Sequence, residues 1–154
     1  MLKKDKKYDL EDRLVDFAVR IVRLSESLPK SKAGNHIAAQ ILRSGTSPAF
    51  NYGEAQSAES RGDFIHKMKI CLKELRETKV GLSMMIKAKL IKPISKLDSL
   101  LNENNQLISI FVSSIKTAGQ SKKKTSWFDI QYSIFNIRYS IFDIRYSIFR
   151  ISYF

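Results

Sequence analysis

At 154 residues the chain suits one domain with a single core, and 44% hydrophobic residues exclude a solvated, disordered coil. The formal net charge of +12 sits early: 24 Lys and Arg against 13 Asp and Glu precede residue 125, which is +11 there, an excess that suits polyanionic partners such as nucleic acid or an acidic protein. Cys71 alone excludes an intramolecular disulfide, the charged start MLKKDKKYDLEDR is no secretory signal, and no run approaches the ~18 apolar residues of a membrane span, so the cytoplasm is the expected location.

The first segment, about Asp9 to Leu28, places Leu10, Leu14, Phe17, Ile21, Leu24 and Leu28 at alternating spacings of four and three, the seam of an amphipathic helix. Asp9 is the expected N-cap and Pro29 the stop. The second segment is expected to start near Asn35 as N-cap, with a seam of Ile37, Ile41, Ser44, Pro48, Tyr52 and Ala55. Its middle is small and polar, and Pro48 removes one backbone hydrogen bond and should bend the helix.

The third segment, about Ser60 to Leu90, opens with the capping box Ser60-Arg61-Gly62-Asp63 and carries Phe64, Met68, Cys71, Leu75, Thr78, Leu82 and Met85 along its seam. The fourth follows Pro93. It begins with a second capping box, Ser95 to Asp98, and its expected seam is Leu97, Leu101, Asn104, Ile108, Phe111 and Ile115. Short loops force neighbours antiparallel, so the fold class is all-α, an antiparallel up-down-up-down four-helix bundle over residues 1–121.

Residues 122–154 read differently, as a basic linker followed by a low-complexity tail outside the bundle and weakly ordered. The unit Phe-(Asp/Asn)-Ile-(Gln/Arg)-Tyr-Ser-Ile starts at Phe128, Phe135 and Phe142, with a broken copy at Phe149. As a helix its apolar residues fall on opposite sides, and as a strand its odd length switches faces at every repeat. A sequence that satisfies neither period is expected of a tandem DNA repeat read through in frame.

The stretch LRSGTSPAFNYGEAQSAESRGDFIHKMKICLKELRET, Leu42 to Thr78, resembles a bacterial family of four-helix bundle proteins first known as products of intervening sequences inside large-subunit ribosomal RNA genes. The resemblance rests on Arg43 to Ser47, Asn51-Tyr52, Glu54-Ala55, Ala58 to Ser60, Asp63 to Met68, Leu72 to Glu74 and Glu77-Thr78. By helix pattern it extends over about residues 8 to 118. Relatives are similar to the accessory variability protein of diversity-generating retroelements, a homopentamer that works with a reverse transcriptase and nucleic acid. The resemblance therefore implies a non-enzymatic homo-oligomer, a pentamer, with RNA or DNA and a reverse transcriptase as candidate partners. Phe50, Pro48 and Lys79-Val80-Gly81-Leu82 depart from the family's usual residues.

No catalytic constellation, cofactor loop or metal-ligand spacing is present in the sequence. His66 is expected on the surface and Cys71 in the core. Lys69, Lys73, Arg76 and Lys87 fall within about 60° of one another at about 100° per residue, opposite the third segment's seam, and are the candidate phosphate contacts. Arg43, Asn51, Glu54, Ser60, Asp63, Phe64, Glu74 and Glu77 are read as structural, with Arg43 expected to clamp Glu54 or Glu74. Two functions follow: a nucleic-acid-binding accessory oligomer, or a protein-interaction scaffold without a nucleic-acid role.

Overall fold

The computed structural model describes residues 10–120. Four helices follow one another: α1 (Leu10–Glu26), α2 (Lys32–Gln56), α3 (Arg61–Lys87) and α4 (Ser95–Gln120), with no strand among the described residues. The Asp9 cap, the lysines from 122 to 124, the boundary drawn after residue 121 and the repeat from Phe128 all lie outside the described residues. None of the four helices is long and apolar enough to cross a membrane.

Side-chain pairs show that the bundle is antiparallel. Arg43 meets Glu77 while Glu54, further along α2, meets Lys67, nearer the start of α3. Arg61 reaches the Ala118 carbonyl at one end of α4, and Asn104 reaches the Leu75 carbonyl midway. Arg13 and Arg20 of α1 bond Glu103 and Ser99 of α4, again in reversed order.

The seams of α1 and α3 follow the sequence pattern. Leu10, Leu14, Phe17 and Ile21 are buried, as are all seven of the expected α3 positions. Each fully buried Leu, Ile, Phe or Met contributes about 1.5–3 kcal/mol. Tyr52 and Phe111 meet edge to face across the core, ring centres 6.1 Å apart.

Three local expectations are corrected. Helix α2 begins earlier, at Lys32. Its N-cap is Ser31, whose Oγ accepts from the Gly34 N–H at 3.0 Å, while the Asn35 N–H already bonds the Ser31 carbonyl at 2.8 Å. Lys32-Ala33-Gly34 adds no large apolar residue to the seam, so the first turn has no periodic signal. In α4 the buried line is Leu97, Leu100, Asn104, Leu107, Phe111, Ser114 and Ala118, while Leu101, Ile108 and Ile115 lie on its flank, partly buried. Paired apolar residues at Leu100-Leu101 and Leu107-Ile108 give two overlapping stripes, and the deeper one ends in small residues. Ser95 is the first residue inside α4, and the Leu97 N–H bonds the Ile94 carbonyl at 2.9 Å.

Helix α2 runs through Pro48 as one element. Around it the small residues act as spacers: Gly45 lies against Ile21 of α1, and the Thr78 hydroxyl donates to Ser44 Oγ at 3.1 Å on the α3 side. Helix α3 ends in a Schellman turn. The Leu90 N–H reaches the Met85 carbonyl (3.1 Å), the Lys89 N–H reaches the Ile86 carbonyl (3.2 Å), and Lys89 takes φ 52°, the left-handed position usually given to glycine.

Candidate nucleic-acid interface

Burying Phe64, Met68, Cys71, Leu75, Thr78, Leu82 and Met85 fixes the rotation of α3 about its axis, and with it what α3 presents to solvent. Lys69, Lys73, Arg76 and Lys87 are all exposed, and none forms an ion pair with the described residues. Val80 and Met84 lie in the same outward stripe by helical phase, 57% and 48% exposed. Gly62 and His66 share that phase, and His66 is exposed. Glu77 borders this face, about 20° from Met84 by helical phase and 27% exposed, and it is taken up by Arg43.

Glu74 and Glu77 of α3 are engaged on the flank that meets α2. Glu77 accepts hydrogen bonds from Arg43 and, at 2.7 Å, from Gln40. Glu74, whose side chain is 8% exposed, sits 3.6 Å from Arg43 as an ion pair. Arg43 thus spans two carboxylates of α3. The expected Glu54 partner belongs instead to Lys67. The hydrogen bond to Glu54, then its charge, raises the Lys67 ammonium above the ordinary lysine range. On the other flank Arg61 donates to the Ala118 carbonyl at 2.6 Å, a cation on the negative end of the α4 dipole. Arg43, Lys67 and Arg61 are thus engaged on the flanks, while Lys69, Lys73, Arg76 and Lys87 on the outward stripe, and Lys79 to one side of it, form no ion pair with the described residues.

The remaining motif residues act locally. Ser60 caps α3, its Oγ accepting from the Asp63 N–H at 3.2 Å. Asp63 lies in the first turn, where a negative charge suits the helix dipole. Phe64 is buried in the core. Asn51 Nδ2 donates to both the Ser47 carbonyl and Ser47 Oγ, each at 3.0 Å, within α2. The structure thus brings Arg43, Glu74 and Glu77 together, sets Glu54 apart with Lys67, and leaves Asn51, Ser60, Asp63 and Phe64 in separate local roles.

Two features escaped the sequence reading. The bridge from Arg13 to Glu103 and Gln106 joins α1 to α4; long-range pairs leave no spacing signal. The second is an apolar face where α1 meets α2. Val15, Val19 and Val22 are partly exposed and, with Ala49 and the 73% exposed Phe50, line a groove of about 620 Å³. A second 4–3 stripe of valines, opposite the buried seam of α1, was its signal.

Among the described residues no group of three or more His, Cys, Asp or Glu side chains can hold a metal ion. Cys71 is buried, its thiol donates to the Pro48 carbonyl at 3.5 Å, and burial pushes its pKa up to about 12, the opposite of an activated nucleophile.

No curated protein matches the chain. A similar solved structure is a crystal structure of a protein with unknown function from the S23 ribosomal protein family of Bacteroides thetaiotaomicron. The two are 38% identical, with a TM-score of 0.65, and the match covers 70% of this chain and 99% of that one. Nearly all of that protein thus fits within part of this chain. The description "23S rRNA-intervening sequence protein" matches over residues 6–113, nearly the whole bundle, and the chain belongs to that family.

Proposed function

We propose that the protein is a non-enzymatic, self-associating accessory factor that holds nucleic acid through its phosphates along the outward stripe of α3. The observation that carries this reading is the line of Lys69, Lys73, Arg76 and Lys87, exposed and without ion pairs to the described residues, while Glu77 at its edge is engaged by Arg43. An ordinary solvated face mixes both signs of charge, whereas the one carboxylate of α3 that borders this stripe, Glu77, is already held by Arg43. Contacts to phosphate carry no sequence information, so binding is general. RNA is the natural first probe, given the rRNA-linked description of the family. Self-association, with five copies as the arrangement implied by the family resemblance, would multiply a weak site through avidity.

The test is fluorescence anisotropy with labelled RNA and DNA across a salt series. Affinity should fall steeply with salt, and the combined change Lys69→Gln, Lys73→Gln, Arg76→Gln and Lys87→Gln should flatten the logarithmic slope by about three. The four sites are exposed, so circular dichroism should show an unchanged fold. No binding to either polymer at about 50 mM salt, where such contacts are strongest, would remove this reading.

One observation favours the scaffold alternative. The α1–α2 apolar face, with Phe50 73% exposed, resembles surfaces that dock protein. Sedimentation of Phe50→Lys separates the two. If assembly fails while a salt-insensitive partner interaction persists in wild type, the scaffold wins; salt-sensitive capture of RNA keeps the first reading.

A further inference from the structure

The cationic stripe of α3 has a gap, and its contents bear on which nucleic acid it takes. Along the outward phase the order is Lys69, Lys73, Arg76, Val80, Met84, Lys87. From Arg76 to Lys87 the helix rises about 16 Å at about 1.5 Å per residue, with no cation on this face between them. Two aliphatic side chains fill that interval, Val80 at 57% exposure and Met84 at 48%. Lys79, also exposed, points roughly 100° away from Val80 by helical phase. The neighbouring carboxylate, Glu77, is occupied by Arg43 and Gln40.

We infer that this face is built for a single strand, RNA or DNA, with phosphates at its two cationic ends and unstacked bases against Val80 and Met84 between them. This rests on the phosphate-binding reading above. A duplex offers the stripe a polar, charged backbone throughout and keeps its base faces stacked inside, so two half-exposed aliphatic groups would meet only phosphate and sugar there. A single strand exposes base faces, which aliphatic side chains can cover by van der Waals contact alone. The polarisable, flexible Met84 thioether adapts to different bases.

The experiment compares single-stranded RNA, single-stranded DNA and duplexes of the same length by anisotropy, in wild type and in the double variant Val80→Ser with Met84→Ser. Both positions are exposed, and thermal melts would verify that the variant keeps the wild-type fold. Wild type should prefer either single strand over the duplex, and the double variant should measurably weaken single-strand binding, with duplex binding and salt slope unchanged. Equal wild-type affinity for single strands and duplex overturns this inference and leaves phosphate binding standing. A double variant that binds single strands as wild type does also overturns it. Absence of binding to every polymer overturns the phosphate reading itself, an outcome distinct from the other two.

Discussion

A methyl group placed on Gly45 would sit 2.7 Å from both Cγ1 and Cγ2 of Ile21, closer than any real side-chain contact. Helix α2 therefore approaches α1 at a distance only glycine permits, and its backbone serves as the packing surface. Gly45→Ala should lower unfolding stability by about 1–3 kcal/mol, the usual range for overpacking. In an Ile21→Ala background the same change should turn neutral or mildly stabilising, since alanine is the better helix former by about 1 kcal/mol. Chemical denaturation of the four proteins gives the cycle, and equal effects in both backgrounds would refute the contact.

Arg43 matters to stability through what it leaves behind. The Glu74 side chain is 8% exposed and depends on Arg43, as does Glu77. Arg43→Met should cost about 1–3 kcal/mol, because a nearly buried carboxylate loses its cation. Adding Glu74→Met should recover most of that loss. The Lys67–Glu54 pair is a control: Glu54 is 58% exposed, so Lys67→Met should leave stability close to wild type.

Lys89 occupies a glycine's place. Its φ of 52° closes the turn after α3, and a Cβ is strained there. Lys89→Gly should raise stability by about 0.5–1 kcal/mol, the relief being offset in part by greater freedom in the unfolded chain. Lys89→Ala should give no such gain. Melting curves of the two variants check the difference.

Cys71 sets an alkaline limit. Burial raises its pKa from an ordinary 9.0 to about 12, so the folded thiol keeps a proton that the unfolded one gives up. Stability from this group is complete below about pH 9 and declines between 9 and about 12. Cys71→Ala should flatten that decline after correction for its lost packing. Wild type should resist thiol reagents at neutral pH until denatured, and rapid labelling under native conditions would contradict the burial.

What the sequence disclosed followed the strength of its hydrophobic contrast. The α1 and α3 seams were legible because large apolar residues stood against charged ones at 4–3 spacing. The start of α2 was hidden because Ser31 to Gly34 contributes caps and spacers but no apolar phase. In α4 the deeper stripe passes through Asn104, Ser114 and Ala118, which carry little hydrophobic signal. Phase alone located the cations of α3. A search for charge could not show that Val80 and Met84 complete the same line, nor which acid of three would receive Arg43, because that depends on how α2 and α3 are staggered.

The two arginines of α1 carry a last consequence. Neighbouring helices elsewhere interlock closely, but α1 and α4 stand further apart. Arg13 spans the distance to Glu103 and Gln106, and Arg20 to Ser99, so polar side chains carry much of this junction. A junction with few close backbone contacts opens locally at lower cost than a tightly packed one. Amide hydrogens facing this side should therefore exchange before those between α2 and α3, and the reverse order would contradict it.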